Sequence, residues 1–262
     1  MELCLTFENR QSTSIPIDYQ YYLSSWVYGI LNKGDETYAR FLHDQGYTAK
    51  TGGKIFKLFS FSNLKINDYE IKNEVNTLIV NSPEVSMKVR FILDQAIESF
   101  VKGLFTDQVL KLKNGYNSMA CFEVKTVEAR QLQVIQDYAH IKATSPIVIS
   151  QRSESAQEEY LSPTHKNYEQ LFLTNLFDKY LVSGKSLKIE WQSIKTSFKL
   201  LHPNWIKSKL VTIKSESKQE TKVRGWLYDF EIMAPREVIE IGLLGGFGKE
   251  CGMGFGFGEV VG

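Results

Sequence analysis

Between Gly242 and Gly258 the chain reads GLLGGFGKECGMGFGFG, a run that holds eight of its eighteen glycines. Without a Cβ, glycine accepts positive φ and lets a phosphate come close to backbone amides. The chemistry such a loop offers is anion binding, at a turn around Gly246, Gly248, Lys249 and Gly252, with Gly254 and Gly256 alternating with Met253, Phe255 and Phe257 toward a closing strand. A glycine-rich hairpin that holds no ligand explains the run equally well, and the Gly-Lys-Ser/Thr ending of a nucleotide-binding P-loop is missing. A second stretch, Lys195 to Arg224, carries eight basic residues and two acids in a chain whose net charge is only +1. Lys207, Lys209, Lys222 and Arg224 belong to it, and Trp205, Trp226 and Tyr228 lie within or just beyond it, where they could stack on unpaired bases. Charge alone leaves two readings open: a face for a polyanion, or a pair of solvated strands with alternating lysines.

Histidine, with a reference pKa of about 6.5, is the natural proton carrier near neutral pH; the chain has His43, together with His140, His165 and His202, which read as structural or surface residues. None joins cysteines or carboxylates at ligand spacing, so no metal or other cofactor is expected. Cys4, Cys121 and Cys251 are odd in number and far apart, which predicts free thiols in a reducing compartment.

These residues need a scaffold. At 262 residues, 43% apolar and 13% aromatic, the chain can bury a substantial core, and its length suits two domains. No stretch is apolar enough to span a bilayer, and Met1 to Phe7 lacks the basic start and apolar core of a secretory signal. A cytoplasmic protein with no membrane partner is expected.

Glu2 to Glu8 alternates as a strand, and Tyr19 to Leu31 sets Leu23, Trp26, Val27, Ile30 and Leu31 at helical spacing, with Tyr21, Ser24, Ser25 and Tyr28 on the other side. Asp35 caps a second helix that packs through Tyr38, Phe41 and Leu42 and turns His43 outward. Ile55 to Phe61 and Glu74 to Val80 read as strands, Glu84 to Lys102 as the strongest helix, and Gln108 to Lys113 and Ser118 to Val127 as strands. From about Ala129 the order restarts. A strand at Ala143 to Ser150 and a polar loop at Gln151 to Leu161 precede a helix, Thr164 to Leu181, with Asn175 in its inward stripe. Strands then fall at Leu187 to Trp191, Lys209 to Ser215 and Lys222 to Ile232, and a short helix, Arg236 to Ile241, feeds the glycine run. The order is compatible with a ferredoxin-like sheet, and two like halves in tandem, 1–128 and 129–262, are the simplest architecture.

Five blocks carry a resemblance: Asp18 to Leu31 (DYQYYLSSWVYGIL), Tyr38 to His43 (YARFLH), Lys57 to Ser62 (KLFSFS), Ser145 to Ser150 (SPIVIS) and Gly246 to Phe257 (GFGKECGMGFGF). In these blocks the chain resembles the CRISPR-associated endoribonucleases that cut precursor CRISPR RNA within its repeats, members of the repeat-associated mysterious protein superfamily. The resemblance implies an α+β fold of two tandem ferredoxin-like (RRM-like) domains, the first carrying the catalytic residues. It places the catalytic tyrosine on Tyr28, the histidine on His43 and the lysine on Lys57. Repeat RNA is then the partner, met by the glycine loop and the basic strands, with effector-complex subunits as further partners of a monomer or homodimer acting in antiviral defence. Cys251 and Gly252 depart from the Asn and Ser that many members carry at that turn.

Cutting RNA without a metal means attack by the 2′-hydroxyl on the adjacent phosphate, leaving a 2′,3′-cyclic phosphate and a 5′-hydroxyl. It calls for a base, an acid and a cation to hold the extra negative charge. His43 suits the first two tasks, Tyr28 donation or orientation of a hydroxyl, and Lys57 the third. A non-catalytic superfamily subunit that holds guide RNA is the competing reading, and it has no need to keep all three side chains.

Overall fold

The computed structural model describes residues 1–49, 53–114, 118–152, 157–185, 195–213 and 220–261. Its first half runs β1 (Glu2–Glu8), β2 (Thr13–Pro16), α1 (Gln20–Gly34), α2 (Glu36–Asp44), β3 (Tyr47–Thr48), β4 (Ile55–Phe56), β5 (Phe59–Phe61), β6 (Lys65–Ile66), β7 (Tyr69–Lys72), β8 (Thr77–Val80), β9 (Glu84–Phe91), α3 (Asp94–Thr106), β10 (Val109–Asn114) and β11 (Ser118–Arg130). Its second runs β12 (Tyr138–Ala143), β13 (Ser150–Arg152), β14 (Glu158–Tyr160), α4 (Tyr168–Val182), β15 (Ser197–Leu201), β16 (Lys207–Ile213), β17 (Thr221–Leu227), β18 (Asp229–Met233), α5 (Arg236–Gly245) and β19 (Gly258–Val260). No described helix is long and apolar enough to cross a membrane.

The main sheet of the first half has the order β10-β11-β1-β9-β5, and that of the second β15-β18-β12-β19, with neighbours antiparallel throughout. With β10 set aside as an added edge, each sheet places its first strand between the fourth and the third, and its second outside the third. That is the arrangement of two interleaved βαβ units, so the ferredoxin-like fold occurs twice. In the first half Leu3, Leu5 and Phe7 of β1 meet Trp26, Phe91 and Phe100 in one core. In the second, Phe172, Phe230 and Phe247 form another, with Phe172 and Phe247 stacked at 5.9 Å.

A polar seam joins the halves. Arg90, buried on β9, donates to Glu2 at 2.7 Å and to the carbonyls of Leu243 and Gly258 at 3.1 and 2.6 Å, and lies over the Phe257 ring. Ser60 donates to the Leu244 carbonyl at 2.9 Å and Asn63 to that of Thr144 at 3.2 Å.

Several elements differ from the sequence expectation. Glu84 to Lys102 is a strand followed by a helix: Val85, Met87, Val89 and Phe91 alternate into the core, and β-branched Val85 and Val89 satisfy a period of two as readily as a helical i,i+4 spacing. The central strand is therefore β9, while the expected strand at Glu74 to Val80 is a single 3₁₀ turn and β8, in a small side sheet with β2 and β7. Ile55 to Phe61 breaks at Lys57 and Leu58, where Leu58 takes φ of 56°. This conformation costs a residue of its kind about 1–3 kcal/mol. The break sends Phe56 and Leu58 into the second core while Phe59 and Phe61 stay in the first. The polar stretch Gln151 to Leu161 forms the β13–β14 pair, and Lys222 to Ile232 divides into β17 and β18. The strand expected at Leu187 to Trp191 lies outside the described residues.

Candidate active site between the two halves

The end of α2 organises the first wall of the site. Asp35 caps its start by accepting from the Tyr38 amide at 2.9 Å. At its other end the Lys57 ammonium donates to the carbonyls of Leu42 and His43, the latter at 2.9 Å, where a cation complements the helix dipole. Lys57 can reach there because the kink at Leu58 takes it off the strand. His43 is exposed, and its Nδ1 lies 2.8 Å from Asp44 Oδ1. From α1, the Tyr28 ring packs edge-on against His43 with centroids 6.0 Å apart. The three side chains proposed from sequence thus come together. Burial, aided by the charge of Glu250, holds the Tyr28 phenol far above its usual range. Burial also sets the Lys57 ammonium below its usual range, against the opposing pull of Asp44 and Glu250.

The glycine loop forms the second wall. A Cβ on Gly252 would stand 3.2 Å from Tyr28 Oη and 3.3 Å from Lys57 Cβ, so glycine here lets the loop lie directly on the first wall. Ser24, on the face of α1 that shares small residues with Tyr28, donates to the Gly252 carbonyl at 2.8 Å. Gly256 closes the loop: at φ of 73° a Cβ would meet the Phe247 carbonyl oxygen at 2.1 Å, leaving no room for any other residue.

The loop's shape is held from within. Lys179 of α4, buried, donates to the carbonyls of Gly246 and Gly248 at 2.5 and 2.7 Å and to Cys251 Sγ at 3.1 Å. Burial nonetheless raises the Cys251 thiol, which stays protonated. The amides of Phe247, Lys249, Met253, Gly254 and Gly256 already donate to backbone carbonyls.

Between these walls lies a cavity of about 530 Å³, lined by Tyr28, His43, Lys57, Gly248, Lys249, Glu250 and Gly252, and closed on the far side by Lys54, Phe56, Glu158 and Asn175. Lys249 donates to Ser150 at 2.5 Å and approaches Glu158 at 3.2 Å, and Lys54 pairs with Asp178 at 2.7 Å. Gly246, Gly254 and Gly256 shape the loop without forming the cavity wall. Asn175, on the inward face of α4, is 4% exposed, and its Oδ1 meets no donor among the described residues. A buried acceptor left so costs about 1–3 kcal/mol.

The basic hairpin stands apart. Lys207, Lys209, Lys222 and Arg224 are exposed on β16 and β17 and do not line the cavity. Lys209 pairs with Gly225 and Arg224 with Leu210, so Lys207 and Lys209 leave one face of the hairpin, Lys222 and Arg224 the other. Of the three aromatics expected to stack on bases, only Trp205 is exposed, at 78%, beside His202; Trp226 and Tyr228 are core residues at 7% and 5%, Trp226 paired with Ile147 and Tyr228 bonded through its hydroxyl to Tyr168 of α4.

Lys179, Glu250 and Asn175 were not among the expected site residues. The available signal was a lysine four residues after Asn175 on a helix, which puts two polar groups on the inward face.

A repeated ferredoxin-like fold with a glycine loop closing a cavity between the repeats defines a tandem-domain protein whose site draws on both halves. The family model described as CRISPR-associated protein Cas6, N-terminal, matches residues 14–125, and that described as CRISPR associated protein Cas6, C-terminal, matches residues 127–260. The chain belongs to the Cas6 family. It is 26% identical to a protein of Methanocaldococcus jannaschii named CRISPR-associated endoribonuclease Cas6 1, with 98% of this chain and 91% of that protein covered. Among solved structures, the product of a Cas6-related gene from Pyrococcus furiosus superposes with a TM-score of 0.79 at 18% identity, covering 100% of this chain and 98% of that one. A structure titled as an RAMP protein binding different RNA substrates gives 0.78 at 17% identity, with both chains covered completely. At such identities these structures speak for the fold.

Proposed function

We propose that this protein is a metal-independent endoribonuclease that cuts precursor CRISPR RNA within its repeats, yielding a 2′,3′-cyclic phosphate and a 5′-hydroxyl. The observation that carries the proposal is the convergence of Tyr28, His43 and Lys57 on one cavity wall, faced by the apex of the glycine loop. Support for the substrate comes from family membership and from the name of the M. jannaschii relative.

With Asp44 accepting from Nδ1–H, a neutral His43 ring presents the lone pair of Nε2, the form that takes a proton. Nε2 removes the 2′-hydroxyl proton, the 2′-oxygen bonds to phosphorus, and the bond to the 5′-oxygen breaks. Lys57 has three N–H donors, of which two meet carbonyls of α2, so one is directed to a phosphate oxygen. Its lowered pKa also suits it to protonate the departing 5′-oxygen. Tyr28, kept neutral by burial, donates a hydrogen bond from its hydroxyl to a non-bridging oxygen.

The test is cleavage of labelled repeat RNA in EDTA by the parent and by His43→Ala, with a second substrate carrying a 2′-deoxy group at the cut. One cut is expected, abolished by the deoxy group and slowed about 10²–10⁴-fold by the substitution. Binding with no cut would overturn the proposal and favour an RNA-holding subunit.

A further inference from the structure

The cavity is larger than the three catalytic side chains require, and its far side carries chemistry that the cut does not use. At about 530 Å³ it falls within the size range of sites that enclose a small ligand. Phe56 and Asn175 line that far side, with the Phe56 ring next to Lys179 of α4. On α4, Asp178 is paired with Lys54 and Lys179 is held by the glycine loop, whereas the Asn175 amide oxygen is buried with no donor among the described residues. The charged groups nearby argue against a second phosphate: Glu158 and Glu250 line the same cavity, and Lys54 and Lys249 are each paired with a carboxylate. Amide oxygen and carboxylates are all acceptors, so the ligand they suit is neutral and presents N–H groups. An aromatic side chain beside such acceptors is how proteins take in unstacked bases of single-stranded RNA.

We propose that this far side of the cavity receives one unpaired nucleobase next to the scissile phosphate, and that Asn175 reads it by accepting a hydrogen bond from an exocyclic amino group. Adenine, cytosine and guanine carry such a group, and uracil, which presents carbonyl oxygens there, is disfavoured. Asn175 is thereby a specificity residue for the reaction, contributed by the half opposite to His43. The inference rests on the RNA-cutting function proposed above.

The experiment deletes one amino group at a time. Each nucleotide flanking the cut is replaced by an analogue lacking only that group: purine for adenine, pyrimidin-2-one for cytosine, hypoxanthine for guanine. For the parent, kcat/KM should fall about tenfold or more at one position. Asn175→Ala should show a ratio near one at that position and keep the parent's ratios elsewhere. Asn175→Asp keeps an acceptor and the shape, and should keep the preference, so the result does not depend on Asn175→Ala folding well. A parent insensitive at every position, or an Asn175→Ala protein with the parent's full set of ratios, overturns the proposal. The same ratios are read on affinity in EDTA. If the parent binds repeat RNA without cutting it, the endoribonuclease function fails, while the binding ratios still decide the role of Asn175.

Discussion

In the glycine loop the organising charge points inward. Lys179 is buried, and its protons go to the loop's own carbonyls. In the β16–β17 hairpin every one of Lys207, Lys209, Lys222 and Arg224 faces solvent, on two different faces. One region uses a cation to fix a shape and the other displays cations to whatever approaches. A glycine-rich loop with a lysine near it therefore need not bind anions through that lysine, and a basic segment need not form one surface.

The sharpest way to break this contrast is Lys179→Met. It removes a buried cation and strands the carbonyls of Gly246 and Gly248, so unfolding in denaturant should show a loss of about 3–5 kcal/mol. A loss under about 1 kcal/mol would mean that the loop holds itself. Next comes Gly252→Ala, whose methyl group presses on Tyr28 and Lys57. Single-turnover cleavage should slow about tenfold with RNA affinity unchanged, since a small displacement of reacting groups costs rate before binding; equal losses in both would place Gly252 in the binding surface instead.

The pH profile offers a smaller effect. Burial lowers the Lys57 pKa, so activity that needs the ammonium should fade as pH rises through a value below 10.5. Asp44 opposes that shift, and Asp44→Asn should bring the alkaline fall to still lower pH. An unmoved alkaline limb would detach Lys57 from the reaction. The smallest changes belong to the hairpin. Lys222→Ala with Arg224→Ala, or Lys207→Ala with Lys209→Ala, should each leave stability within about 0.5 kcal/mol per substitution. If RNA lies on one face, only one pair should flatten the plot of log affinity against log salt, by about 0.7–0.9 for each phosphate that is no longer neutralised.

How much of this could be read in advance follows from which signals are local. The cap at Asp35 and the stripe of α1 are local, and both helices fall where spacing placed them. The segment Glu84 to Lys102 failed because Val85 and Val89 fit both periods, and only pairing with β1 decides between them. Nothing around His43 in the sequence marks it as special; its proposed role comes from the resemblance of the block that ends on it. Lys179 escaped because its partners are carbonyls about seventy residues further on, which no spacing rule reaches.

The contact between Gly252 and Tyr28 also sets an order of events in time. Tyr28, His43 and Lys57 leave the ribosome long before the glycine loop is made, and at the usual pace of synthesis the gap is on the order of ten seconds. Throughout that interval the cavity has one wall, because Ser24 has no Gly252 carbonyl to hold and α4 has no loop to gather. The cavity is thus completed late by the chain's own sequence order, with the closing piece arriving after the parts it covers.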